Sequence, residues 1–149
     1  MIPKYHGTSG SVSDRKFAII VSKYHLSITQ KLLDGAIQTL TRNEVSDQNI
    51  SVYWVPGAWE LATGTQLVLA QGDCDAVLTF GCVIRGETTH YDTVCNDSSR
   101  ALQLLGLQGL CIGNGILTVE TRPQAEMRAD PEEQNKGGGA AAAALHLIA

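Results

Sequence analysis

A histidine set among hydroxyls and a glycine marks the first place in this chain where acid–base chemistry can be sought: Arg85-Gly86-Glu87-Thr88-Thr89-His90-Tyr91-Asp92. Imidazole exchanges protons near neutral pH. Alone, His90 reads more simply as a surface or capping residue, and its neighbours are what raise the chemical reading beside the plain one. Gly86, Glu87, Thr88 and Thr89 offer backbone N–H groups and hydroxyls near a helix start, a usable cradle for an oxyanion or phosphate. It is not a Walker loop, and Glu87 repels an anion unless it points away; an ordinary capping turn is the bland alternative. Arg128 and Lys136 can supply cations to a phosphate, although spacing alone makes them solvated surface charges. Tyr24 can stack on a planar ring and Glu60 can accept hydrogen bonds from a polyol or heterocycle. Each also has a cheaper account, as cover for the core and as a carboxylate favoured by a helix dipole.

Positioning these groups requires elements that end where they stand. Short β-branched runs alternate with amphipathic stretches from Lys16 onward. Phe17–Val21 reads as a buried strand, followed by a helix with Ile28, Leu32, Leu33, Ala36, Ile37 and Leu40 on one face and Ser27 as its N-cap. Ile50–Val55 is a second strand, closed by Pro56-Gly57. Trp59–Gln71 is a second helix, offering Leu61, Leu67, Val68 and Ala70 to the core and stopped by Gly72. Ala76–Ile84 is a third strand, and the polar stretch Arg85–Asp92 leads into a helix ending near Gly106. Leu110–Leu117 is a fourth strand, and two helices, Pro123–Arg128 and Asn135–Ile148, flank the breaker Asp130-Pro131. Strands joined by helical crossovers imply right-handed βαβ units and a four-stranded parallel sheet covered on both faces, a flavodoxin-like three-layer α/β/α sandwich. Ligands of such sheets bind beyond the carboxyl ends of the strands, and Tyr24, Glu60 and His90 all fall there.

The chain has 149 residues, 44% apolar, about the size of one domain. Residues 16–149 are expected to form it, with residues 1–15 as an arm that pairs with a neighbouring subunit. A net charge of −4 lacks the footprint of a nucleic-acid binder. Cys74, Cys82, Cys95 and Cys111 form no C-x-x-C pair and sit mainly in apolar stretches, so buried reduced thiols are expected rather than a metal site. No run reaches a membrane span and no apolar leader opens the chain. A cytoplasmic setting follows as the expectation.

Several segments together resemble the lumazine synthase family in one register from Phe17 to the C-terminus: Leu32–Ala36, Val55–Glu60, Gly81–Asp92, Gly115–Glu120, Gln124-Ala125, Arg128-Ala129 and Asn135–Gly137. The resemblance implies condensation of a ribitylamino-pyrimidinedione with dihydroxybutanone phosphate to dimethyl-ribityllumazine, releasing phosphate and water and needing no cofactor. It makes His90 the proton-transfer residue and gives Tyr24 the stacking position on the pyrimidine. Ala58, Trp59 and Glu60 would line the ribityl side and Cys82, Val83 and Ile84 would hold the pyrimidine edge. Glu87, Thr88 and Arg128 would bind the phosphate, with Lys136 nearby. Asn114, Arg128 and Lys136 would come from a neighbouring subunit, which implies pentamers. Some members close pentamers into a shell of about 60 subunits, and association with riboflavin synthase is a further possibility that the resemblance carries.

Four positions depart from the family pattern: His25 for asparagine, Asn114 for an aromatic, Asp97 for glutamate and Ala101 for glycine. Asn114 exchanges stacking for hydrogen bonding, and His25 adds a titratable group beside the ring site. Asp130-Pro131-Glu132-Glu133 replaces a glycine-containing turn that bears on how pentamers meet. Two other readings are a non-catalytic member that binds lumazine or flavin, motivated by Asn114 and His25, and a generic flavodoxin-like signalling or phosphate-binding domain. The second lacks both the acidic cluster of a receiver and the G-x-G-x-x-G of a nucleotide binder.

Overall fold

The first apolar run becomes β1 (Phe17–Ser22), every residue of which is buried. It pairs in parallel with β2 (Ile50–Val55) on one side and β3 (Ala76–Ile84) on the other, and β3 pairs with β4 (Ile112–Val119). The sheet order is β2-β1-β3-β4, the flavodoxin-like arrangement expected of crossover connections. The computed structural model describes residues 11–148.

Alternation of side chains along β1 and β3 sorts two cores. Phe17, Ile19, Val21, Leu78 and Phe80 face α1 (Leu26–Arg42), α4 (Arg122–Ala129) and α5 (Lys136–Ile148), while Ala18, Ile20, Val77 and Val83 face α2 (Leu61–Ala70) and α3 (His90–Leu107). Helices therefore cover both faces. The stripe on α1 runs through Ile28, Leu32, Leu33, Ala36 and Leu40 as its spacing predicts.

Three local expectations are corrected. α1 begins at Leu26, so Ser27 lies inside its first turn and cannot cap it; the capping position is His25, in the left-handed conformation at φ 59°, ψ 49°. α2 buries Leu61 and Thr65, whereas Leu67 and Ala70 are exposed. This helix is apolar on nearly every side, so periodicity does not reveal which face turns inward. Among the four cysteines, all free, only Cys82 is fully buried and the others are half-buried; burial pushes the Cys82 and Cys111 thiols up to about 11.

Most of the expected N-terminal arm, residues 1–10, lies outside the described residues. Its last part packs on its own chain: Val12 is buried in the α1-side core and Asn49 Nδ2 donates to the Ser13 carbonyl at 3.2 Å. No described helix is long and apolar enough to cross a membrane, and the described residues contain no cluster of metal-ligating side chains.

Candidate active site

Backbone bonds fix the carboxyl end of the sheet before any functional side chain is placed. The Lys23 N–H donates to the Val55 carbonyl at 2.8 Å, Tyr24 N–H to Pro56 at 3.1 Å and Arg85 N–H to Val119 at 2.9 Å. The loops after all four strands thus leave from tied positions. After β2, Ala58–Glu60 makes a 3₁₀ turn that lies close against β3, because a Cβ on Gly81 would press on Ala58 and Leu61. Ala58 is buried under this turn, while Trp59 is exposed at its edge.

A cavity of about 960 Å³ opens between these loops. Tyr24, Ala58, Trp59, Glu60, Cys82, Val83, Ile84, Thr88 and His90 all line it, together with His25 and Gly86. Most of the residues singled out from the sequence are brought together here. Tyr24 is 68% exposed, which leaves a ring face open for stacking. Its ring meets that of His25 edge-on at 4.4 Å between centroids. Desolvation, and then the charge of Arg122, lower the His25 pKa and favour its neutral form. Glu87 sits between Gly86 and Thr88 but is exposed and does not line the cavity.

His90 is the first residue of α3 rather than part of the loop before it, and it is exposed. Its backbone N–H donates to Thr88 Oγ1 at 3.3 Å, so the Thr88 hydroxyl takes up one of the N–H groups left open at the start of the helix that carries the histidine. Arg85 holds the same corner from the other side. Its Nε donates to both Glu120 carboxylate oxygens at 3.0 and 2.9 Å, its Nη1 lies 3.5 Å from Asp92, and its guanidinium stacks 4.2 Å from the Tyr91 ring centre. The ends of β3 and β4 and the first turn of α3 are thereby clamped around His90.

The remaining predicted residues stand elsewhere. Asn114, Arg128 and Lys136 line a separate cavity of about 500 Å³ along the outer edge of β4, walled on the other side by Gly139, Ala140 and Ala143 of α5. Arg128 is held there by Nη1 donating to the Gln124 carbonyl at 3.1 Å. Asn114 is exposed, and its own Oδ1 accepts from Ile116 N–H at 3.0 Å. Within one chain, the histidine and these cations belong to two different surfaces.

Three lining residues were not anticipated: Thr93, Val94 and Arg122. Thr93 and Val94 follow His90 by three and four residues in α3. Arg122 opens α4, three residues beyond the carboxyl end of β4, the kind of place that the strand-end rule marks. Following that rule into the next helix would have reached it.

The chain matches the family model described as 6,7-dimethyl-8-ribityllumazine synthase over residues 14–149. Proteins bearing that name are similar along most of their length. The one from Jannaschia sp. is 51% identical over 134 residues, covering 90% of this chain and 74% of the relative. That from Pediococcus pentosaceus is 40% identical over 146 residues, covering 97% and 93%. That from Methylobacterium radiotolerans is 44% identical over 143 residues, covering 95% and 85%. With the sheet order, the cavity at the strand ends and a match spanning nearly all of the chain in agreement, this protein belongs to the 6,7-dimethyl-8-ribityllumazine synthase family.

Proposed function

We propose that this chain condenses 5-amino-6-(ribitylamino)pyrimidinedione with dihydroxybutanone phosphate to 6,7-dimethyl-8-ribityllumazine, the penultimate step of riboflavin biosynthesis, at sites shared between subunits. The observation that carries the reading is the 960 Å³ cavity holding Tyr24, the 58–60 turn, the end of β3 and His90 on one wall system. Tyr24 stacks on the pyrimidine. Ala58, Trp59 and Glu60 take the ribityl chain, whose hydroxyls suit a carboxylate acceptor, and Cys82–Ile84 meet the ring edge. The substrate amine attacks the ketone, water leaves as the imine forms, phosphate is eliminated, and the second amine closes the ring onto the remaining carbonyl with loss of a second water. Each step moves protons between nitrogen, carbon and oxygen, the work assigned to His90.

The phosphate falls to Gly86–Thr88 together with Arg128, and Lys136 lies beside it. Because Arg128 and Lys136 line the β4 edge rather than the main cavity, a second copy of the chain must bring them to His90. A ring of subunits follows, a pentamer in this reading, with association into a shell and with riboflavin synthase as further steps, and work in the cytoplasm. No bound cofactor enters the scheme.

Mixing the protein with both substrates and following lumazine fluorescence and phosphate release together tests it. Saturable formation of both above the protein-free rate, slowed about a hundredfold or more by His90→Ala, is the expected result. Tight lumazine binding without turnover would replace the synthase by a binding protein.

A further inference from the structure

Arg122 is the one lysine or arginine that lines the large cavity among the described residues. It starts α4, a helix fixed by a capping box: Thr121 Oγ1 accepts from Gln124 N–H, and Gln124 Oε1 accepts from the Thr121 N–H. The guanidinium reaches back across the sheet end to α1, where Nη2 donates to Ser27 Oγ at 2.6 Å. Its acidic neighbour Glu126 is 3.4 Å from Nε, and the two side chains are about half exposed, so the pair is loosely held and solvent-screened. A guanidinium has five N–H donors. The bond to Ser27 and the contact with Glu126 leave others for a ligand.

The anchored side chain lines the cavity together with Tyr24, His25 and Cys82, the residues of the loop after β1 and of the end of β3. Its charge is felt on both walls: at Cys82 desolvation raises the thiol pKa while Arg122 pulls it down, and at His25 Arg122 adds to the lowering by desolvation. A planar donor fork between a stacking ring and a strand end suits a planar ligand rich in carbonyl oxygens. We infer that Arg122 is a binding residue for the pyrimidinedione, donating hydrogen bonds to the carbonyl oxygens of the ring stacked on Tyr24, with Ser27 as the anchor that holds it in place. This rests on reading the cavity as the pyrimidinedione site. Because Arg122 holds the ring and moves no proton, its contribution belongs to substrate binding rather than to turnover.

Steady-state kinetics of Arg122→Leu and Arg122→Lys, with calorimetric titration of a 6-(ribitylamino)pyrimidinedione lacking the reactive 5-amino group, test the inference. Arg122→Leu raises KM for the pyrimidinedione and weakens the analogue about tenfold, the size of one hydrogen bond to a charged group. KM for dihydroxybutanone phosphate and kcat stay within about twofold, and Arg122→Lys recovers part of the loss. Melting temperature and sedimentation of the variants are compared with the parent, since α4 itself depends on Thr121 and Gln124 rather than on Arg122. Glu60→Gln, aimed at the ribityl chain, separates two kinds of failure. If it weakens the analogue and Arg122→Leu does not, the inference is overturned while the cavity remains the pyrimidinedione site; if neither weakens it, both readings fall. A rise in KM for dihydroxybutanone phosphate alone also overturns it, by giving Arg122 to the phosphate.

Discussion

His25 shows how one position can answer a chemical and a backbone demand at once, of which a sequence displays only the first. Its type suggests titration, but its backbone, at φ 59° and ψ 49° immediately before α1, is left-handed, a conformation that asparagine adopts more readily than most side chains. The asparagine expected there from the family resemblance thus answers a backbone demand that no composition or periodicity displays. Histidine meets that demand at a cost and adds a proton-linked one. Desolvation first, and Arg122 second, hold its pKa below the usual 6.5, so an unfolded chain binds the proton more readily than the folded one. Stability from this group is complete above about pH 6.5 and is lost as pH falls from there through the lowered folded value. His25→Asn is therefore expected to raise the stability at neutral pH by less than the about 1–2 kcal/mol that a left-handed residue costs and to flatten its decline in mild acid. Chemical denaturation of both proteins at pH 7.5 and pH 5 checks this; parallel pH profiles would mean that His25 does not supply the linkage.

At the scale of elements, α1 and α5 cross so closely that small residues become obligatory. A Cβ on Gly137 would run into the carbonyl group of Leu32, a backbone atom that cannot swing aside. Gly137→Ala is expected to cost about 2–3 kcal/mol as an overpacked contact, read as a lowered denaturation midpoint; an unchanged midpoint would mean that the two helices separate easily. Leu32–Ala36, Asn135 and Gly137, which carried part of the resemblance, therefore serve packing rather than chemistry. The same distinction sets what was legible beforehand. β1 and β3 are buried on both faces and α1 buries a clean stripe, so continuous apolar runs mark the strands and helical spacing marks the helix. α2 has no polar face to contrast with its apolar one, which is why Leu67 was assigned inward and stands 62% exposed. Tyr24, Glu60 and His90 were legible because each follows a strand, where parallel sheets gather their ligands. Arg122 was not, because its placement depends on where α4 starts and on Ser27, a partner 95 residues away.

For the whole molecule, the decisive feature is the separation of the proposed site residues onto two surfaces. His90 and Tyr24 line the cavity at the strand ends, whereas Arg128, Lys136 and Asn114 line the groove beside β4. The exposed apolar residues Tyr53, Trp54, Leu67, Leu104 and Leu107 lie on β2, α2 and α3, uncovered surface of the kind that an associating subunit buries. If a neighbour in a cyclic ring supplies the β4 groove, each contact is heterologous and every site draws His90 from one chain and Arg128 from the next. His90→Ala and Arg128→Ala subunits are then each inactive alone, yet a site built from the intact half of each has both groups. In rings refolded from equal amounts of the two, a subunit with His90 is followed by one with Arg128 in about a quarter of positions, because neighbours are drawn independently. Refolding the mixture and measuring lumazine formation is expected to give about a quarter of the parental rate per subunit, from two preparations that separately give almost none. If His90 and Arg128 instead acted within one chain, no ring composed of these two variants would contain an intact site, and the mixture would be as inactive as its parts.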